Sequence, residues 1–347
     1  MYQSNMKPLL DRMLPAPING GFQMEGYWVW CASVVKGEDG RFHMFASRWP
    51  KHLPMHPGWL VGSEIVRAVA DTPEGPYAFQ EVVFPARGAE YWDGRSTHNP
   101  VIVKHDDTYI LYYIGTTHPF EDIEPGQTLE LEDPRTIVGR SNKRIGVATA
   151  KSVFGPWERK DEPILQTRPG KFDSFLTSNP APCVHEDGSV LLIYKTRRYE
   201  GHAHSKKMML GVAKADHYNG PYTAVSDEPI FPPDQVHLED PFIWKTDHGY
   251  ELIAKDMEGG TCGELHGGIH AFSKDGIKWE LNDNPKAYSR NVLWDDGEVR
   301  TMANLERPFL LFQDGKPTHL FAATADGPGH FKGMTETWNM VIPLKAD

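Results

Sequence analysis

The sequence predicts an all-β protein, a five-bladed β-propeller of antiparallel sheets around a central funnel, on three observations. One short unit recurs five times; short apolar strands punctuated by Gly, Pro, Asp and Asn fill the chain; and no segment carries a long helical period.

Four copies of the unit read THNPVIVKHDDTYILYYIG from Thr97, TSNPAPCVHEDGSVLLIYK from Thr177, LEDPFIWKTDHGYELIAKD from Leu238 and LERPFLLFQDGKPTHLFAA from Leu305. Each has a polar pair, a proline, an apolar strand, a turn rich in Asp and Gly, and a second apolar strand. WCASVVKGEDGRFHMFASR, from Trp30, reads as the fifth, with Ser33 in the place of the proline. The anchors Ser33, Pro100, Pro180, Pro241 and Pro308 lie 67, 80, 61 and 67 residues apart, so five units use the whole chain. A third strand follows in IVRAVADTPEGPYAF, IGVATAKSVFGPWER, LGVAKADHYNGPYTA and GIHAFSKDGIKWELN, the last with Ile277-Lys278 in place of Gly-Pro.

A unit of three or four antiparallel strands is too small to bury its own face and suits a propeller blade. Residues 1–347 are therefore expected to form a single five-bladed domain, with inner strands near 31–36, 98–103, 178–184, 239–244 and 306–312. The closing WNMVIPL is placed beside the N-terminal GFQMEGYWVW, where it completes a sheet and closes the ring. The longest insertion, His118 to Lys143, is read as a loop over one face that shapes a binding site, with its acidic half alternatively a solvated surface loop.

Hydrophobic residues make up 39% of the 347 and charged residues 24%, an ordinary globular balance. A net charge of −11, from 47 acidic and 36 basic residues, argues against a nucleic-acid surface but leaves room for a local basic pocket. No stretch approaches the ~18–20 apolar residues of a membrane span. The opening MYQSNMKPLLDRMLPAPINGGF lacks the unbroken apolar core of a signal peptide, which makes the cytoplasm the expected location. Cys31, Cys183 and Cys262 are too few and scattered for a disulfide framework or a zinc site, and read as buried thiols.

In a propeller the inner strands begin at the funnel mouth, so homologous positions converge there. Just before the anchors stand Ala32, Asn99, Asn179, Asp240 and Arg307; one position earlier stand Cys31, His98, Ser178, Glu239 and Glu306. Neighbouring strand residues point to opposite sides, yet strand starts often bend, so both sets are retained. Asn99, Asn179 and Asp240 face a ligand, or else cap turns and tie blades together. Three gathered carboxylates must be paired or shift their pKa, and Arg307 neutralises only part of that charge. Glycoside hydrolysis needs such a cluster, one carboxyl protonated and another ionised; Asp240 and Glu306 are the expected pair.

Leu238-Glu239-Asp240-Pro241 and Glu306-Arg307-Pro308 match the Asp-Pro and Glu-x-Pro motifs of a known group. Together with the Asp-Gly hairpins and the turns Gly75-Pro76-Tyr77, Gly155-Pro156-Trp157 and Gly220-Pro221-Tyr222, they make the chain resemble the five-bladed propeller glycosidases of glycoside hydrolase family 43 and its relative family 117. The resemblance covers most of the chain. It implies that Asp240 orients the site and tunes its partner's pKa, and that Glu306 is the general acid. The family 43 pattern also calls for a base aspartate on another blade, where this chain has Cys31-Ala32-Ser33, Asn99 and Asn179. Candidates for that role are Asp93 in EYWDGRSTHNP, ranked first, then Glu25 and Asp173; an Asx turn at Asp93-Gly94 is the alternative reading. Family 117 uses a histidine as acid, which directs attention to His98, His266 and His270. Relatives often hold a cation in the channel, so a structural divalent cation there is the alternative to having no cofactor.

Trp28 and Trp30, with Arg48 and Trp49, offer aromatic faces and a guanidinium suited to sugar recognition. KTRRYEGHAHSKK, with Arg197, Arg198, His202, His204, Lys206 and Lys207, is read as a contact for a uronate or sulfate, or as an exposed hairpin. His202 and His204 also have a spacing that fits a metal ion. The leading expectation is a glycosidase removing a terminal sugar from a plant or algal oligosaccharide or polysaccharide, with a carbohydrate partner that is anionic in one version. The alternatives are a non-catalytic carbohydrate-binding propeller, or a lyase or phosphorylase on the same scaffold.

Overall fold

A computed structural model describes residues 8–202, 207–328 and 333–346. His204 and Lys206 of the basic third-unit segment lie outside the described residues. Five antiparallel sheets follow one another along the chain. The first blade contains β1 (Tyr27–Lys36), β2 (Phe42–Pro50), β3 (Glu64–Ala70) and β4 (Ala78–Phe84). The second contains β5 (Ser96–His105), β6 (Thr108–Thr116), β7 (Arg144–Ala150) and β8 (Glu158–Arg159). The third runs β9 (Leu176–Val184), β10 (Val190–Arg197), β11 (Met209–Ala215), β12 (Thr223–Ala224), and the fourth β13 (Leu238–Thr246), β14 (Gly249–Asp256), β15 (Gly268–Ser273), β16 (Glu280–Tyr288). A short hairpin, β17 (Asn291–Leu293) and β18 (Val299–Thr301), leads to the fifth blade of β19 (Glu306–Gln313), β20 (Lys316–Ala325) and β21 (Thr337–Pro343). Among the described residues three short helices stand outside the sheets: α1 (Leu9–Arg12), α2 (Met55–Gly62) and α3 (Pro134–Ser141). None of the described helices is long and apolar enough to cross a membrane.

The core is divided among the seams between blades. Ile110, Tyr112 and Ile114 of the second blade pack with Leu192, Tyr194 and Ala213 of the third, and equivalent clusters fill the other four seams. A second strand is therefore covered on both faces; every residue of β6, TYILYYIGT, is buried. That explains why these strands read as continuous apolar runs rather than as alternating ones.

The three Gly-Pro-aromatic turns share one geometry, with Gly75, Gly155 and Gly220 at φ of 87°, 84° and 83° ahead of cis prolines. The fourth copy turns through Gly276 at φ 74° and ties down Trp279, whose Nε1 donates to the Gly276 carbonyl.

Ring closure falls upstream of β1. Phe22 and Asn339 exchange backbone hydrogen bonds, each of 2.9 Å, along the outer edge of β21. The buried Arg12 adds Nη2 to the Pro317 carbonyl at 2.8 Å and Nε to the Lys345 carbonyl at 2.9 Å. Gly21, at φ 74°, lies so close that an added Cβ would stand 2.0 Å from the Asn339 carbonyl oxygen. Gly21→Ala is accordingly expected to destabilise by about 1–3 kcal/mol. Gly26→Ala, at φ 78° with open space around it, carries the backbone strain without the clash and should lower the melting temperature less.

The inner strands share a kink that decides where their side chains go. In each, the ladder to the second strand breaks for two residues: between Trp30 and Ser33, His98 and Val101, Ser178 and Ala181, Glu239 and Phe242, and Glu306 and Phe309. The first residue of each break is left-handed: Cys31 (φ 58°), Asn99 (53°), Asn179 (46°), Asp240 (59°) and Arg307 (57°). Such a bulge inserts one extra residue and re-aims the side chains beside it. This corrects the alignment of the first unit, because Ala32, not Ser33, occupies the proline position. The five equivalent pairs begin at Cys31, Asn99, Asn179, Asp240 and Arg307.

Candidate active site

The bulge separates the two polar sets into two levels. At the lower level Cys31, Asn99, Asn179, Asp240 and Arg307 surround the axis and leave a channel of about 30 Å³, about one water's share of liquid volume. They form a chain of contacts in one direction. Cys31 Sγ donates to Asn99 Oδ1 (2.6 Å), Asn99 Nδ2 to Asn179 Oδ1 (2.8 Å), and Asn179 Nδ2 to Asp240 Oδ1 (2.8 Å), while Arg307 Nη1 ion-pairs with that same oxygen at 2.6 Å. Burial pushes the Cys31 thiol up to about 12, so it remains a donor. Asn99 and Asn179 thus tie neighbouring blades together, which corrects their expected contact with substrate. Arg307 already supplies a positive charge to this channel.

The upper level opens into a cavity of about 210 Å³. Trp30, His98, Glu239 and Glu306 line it from their inner strands, whereas Ser178 turns away and donates to Asn179 Oδ1. Lys195 and Arg197 come from β10. The helix α2 supplies Met55, His56 and Trp59, and the insertion of the second blade delivers Arg140 from α3 with Lys143 just beyond it. The end of the insertion therefore lines the cavity, while its acidic part, 120–132, is mostly exposed.

One ammonium organises the carboxylates. Lys255, on β14 opposite Glu239, lies 2.9 Å from Glu239 Oε2, 2.8 Å from Glu306 Oε1 and 3.5 Å from Asp240 Oδ2. Glu239 Oε1 also meets Lys195 Nζ at 2.5 Å, and Asn304 Nδ2 donates to Glu306 Oε1 at 3.0 Å. Burial pushes Glu239 up, but Lys195, Lys255 and Arg307 outweigh it and hold the carboxyl well below the usual range. For Asp240 burial wins: reinforced by Glu239 and Glu306, it raises the pKa against Arg307 and Lys255. Lys255 is held well above the ordinary lysine value by its three carboxylates despite its burial. Lys195, less well compensated, is lowered to about 8, chiefly by burial.

Several expected site residues stand elsewhere. Asp240 is 2% exposed and belongs to the belt under the cavity rather than to its wall, so Glu239 takes the place at the mouth that was expected for Asp240. Asp93, fully buried, ion-pairs with Arg87 and Arg159 and accepts the Tyr113 hydroxyl at 2.8 Å; it is a strut of the second blade, not a base. Asp173 repeats that arrangement with Arg168 and Tyr194, and Glu25 is exposed on the surface. Arg48 is occupied by Glu64 and sandwiched between Tyr27 and Phe79, and Trp28 donates to the Leu53 carbonyl; neither lines the cavity. His266 occupies a left-handed turn outside the cavity, and His270 pairs with Glu251 at 2.8 Å.

His98 does line the cavity, stacked on Trp59 with ring centroids 4.7 Å apart. Its Nδ1 meets Ser63 Oγ at 2.8 Å, and burial among Arg307, Lys143 and Lys195 pushes its pKa far down, so it is a neutral wall rather than a proton donor. Arg198 and Lys207 line a separate cleft of about 580 Å³ at the side of the third blade. Among the described residues no cluster of His, Cys, Asp or Glu is arranged to hold a metal ion.

Lys195 and Lys255 were visible in the sequence as single lysines interrupting the apolar runs VLLIYKTR and GYELIAKD. Arg140 and Lys143 left no such mark, because they lie in a polar insertion.

The chain matches no protein-family model, and no curated protein matches it. Solved structures do. A family 117 glycoside hydrolase of the marine bacterium Zobellia galactanivorans superposes with a TM-score of 0.66 at 16% identity, over 96% of this chain and 90% of that one. A thermostable family 43 glycoside hydrolase gives 0.60 at 11% identity, over 96% of both chains. A family 43 β-xylosidase/α-arabinofuranosidase from a compost microbial metagenome, solved with xylotriose, gives 0.55 at 16%, over 100% of this chain and 96% of that one. At these identities the likeness establishes the fold: the chain is a five-bladed propeller of the architecture those hydrolases share.

Proposed function

We propose that this propeller is a glycoside hydrolase that removes one terminal sugar, with Glu306 as proton donor to the leaving oxygen and Glu239 as its ionised partner. The observation that carries the reading is the pair itself. Two carboxylates share one ammonium at the mouth of a cavity walled by Trp30, Trp49 and Trp59, and one of them is held ionised. Aromatic walls suit the apolar faces of a sugar ring. Asp240, one level below, is a positioning residue that anchors Arg307 and Lys255 under the pair. The exo mode rests on size and shape. At about 210 Å³ the cavity is smaller than the ~300–1,000 Å³ of drug-sized sites, and the belt closes its floor, so it suits a single ring. The resemblance to carbohydrate-active propellers points to a plant or algal glycan as the source of that ring.

A screen of aryl glycosides and oligosaccharides tests this reading. Release of a single monosaccharide is the expected product; internal fragments would overturn the exo mode. Saccharide binding without turnover by the intact protein would favour the carbohydrate-binding alternative.

The pH dependence follows from Lys195. Below about 8 it is protonated and pairs with Glu239; above that it discharges, and Glu239 loses its shortest contact. The ratio kcat/KM is therefore expected to fall as pH rises through about 8, and Lys195→Arg should move that limb upward. A pH–rate profile of the two proteins checks it.

A further inference from the structure

The charges at the mouth do not balance. Asp240, Glu239 and Glu306 occupy Lys195, Lys255 and Arg307, and Glu306 in its proton-donor form cancels no charge and only widens the positive excess. That leaves Arg140, Lys143 and Arg197, all lining the same cavity. Among the described residues none of the three has an ion-pair contact; Glu239 and Glu132 act on Arg140, and Glu239 on Arg197, only at longer range. Lys143 is 2% exposed and Arg140 7%, and the Lys143 ammonium stands over the face of Trp59, 4.9 Å from the ring centroid. Arg140 Nε and Nη2 and Arg197 Nε are buried with no hydrogen-bond acceptor. Unpaired buried cations are costly, and neutral histidines at His56 and His98 do nothing to compensate them. Burial, then Lys195, Arg140, Arg197 and Arg307, push Lys143 well below the ordinary lysine value.

We propose that this cavity takes an acidic sugar, whose carboxylate or sulfate ester is held by Arg140, Lys143 and Arg197 while its anomeric carbon faces Glu239 and Glu306. The assignment rests on the glycosidase reading for its chemistry but not for its binding. Two guanidinium forks and an ammonium match an oxyanion that offers several acceptors at once. A neutral sugar would leave the three cations as uncompensated as they are without it. Specificity then comes from the second blade's insertion, which supplies two of the three.

The test uses the full chain and calorimetry with glucuronate, galacturonate, the matching neutral sugars, sulfated galactose and inorganic sulfate. Either a uronate or the sulfated sugar should bind, its neutral counterpart about 10–100-fold more weakly, and the preferred arm identifies the anion. Lys143→Met should abolish that preference without lowering the melting temperature of the free protein, because it removes a buried amine that has no ion-pair contact. A variant that merely misfolds would melt lower. Equal binding of neutral and acidic sugars, or inorganic sulfate binding as well as the sugars, would overturn the proposal. Turnover separates the two readings. Lys143-dependent binding of an acidic sugar without hydrolysis would keep this inference and remove the glycosidase. Hydrolysis of neutral glycosides untouched by Lys143→Met would do the reverse. An unsaturated product absorbing in the ultraviolet would keep the anion site and move the chemistry to elimination.

Discussion

Replacing Glu306 by Gln is expected to lower kcat/KM for an oligosaccharide by about 10²–10⁴-fold, the range of a lost general acid. The amide keeps the shape, so the melting temperature should move far less than the rate. The effect should also depend on the leaving group. An aryl glycoside with an acidic phenol needs little proton donation and should lose least, while a poor leaving group such as another sugar should lose most. A uniform loss across leaving groups would point to damaged binding rather than to a missing proton.

Lys255→Met is expected to cause the largest loss of stability. Lys255 is 2% exposed, and its ammonium serves Glu239, Glu306 and, at longer range, Asp240. Removing one partner from a buried ionic cluster leaves charges that cannot be rehydrated, a penalty of about 3–5 kcal/mol. Glu239 and Asp240 would then take up protons more readily, which removes the ionised partner and with it the activity. Denaturant unfolding reads the stability. Lys255→Met combined with Glu239→Gln should recover part of it, since one stranded charge has been removed, whereas strict additivity would mean that Lys255 acts independently of Glu239.

The sequence made the architecture legible because the repeat carries it. Prolines 100, 180, 241 and 308 mark the strand entrances, and the apolar second strands are what a twice-covered strand requires. The frame of the first unit was hidden because its left-handed residue is Cys31, with neither the Asn or Asp that tolerates this conformation nor a following proline to announce it. The same bulge explains the exchange of Asp240 and Glu239. Alternation along a strand says that neighbours point apart, but only the kink says which of them reaches the cavity. Asp93 misled for a different reason. A polar setting suggested a base, yet its offset from Asn99 matches that of Asp173 from Asn179, which marks both as recurring struts with a Tyr and an Arg. The cations were legible only in part, because Lys195 and Lys255 break apolar strands whereas Arg140 and Lys143 come from a loop whose path the sequence does not reveal.

The most direct measurement is the anomeric configuration of the first sugar released, followed by proton NMR on whichever glycoside the screen identifies. Glu239 Oε2 and Glu306 Oε1 contact one nitrogen at 2.9 and 2.8 Å, so the gap between these oxygens cannot exceed the sum of the two. That ceiling admits the ~5–5.5 Å of retaining enzymes and falls short of the ~6.5–9.5 Å that leaves room for an inverting water. No other carboxylate lines the cavity among the described residues. If Glu239 and Glu306 are the working pair, the product forms with retention; inversion would contradict that pairing and require a base from outside this cavity.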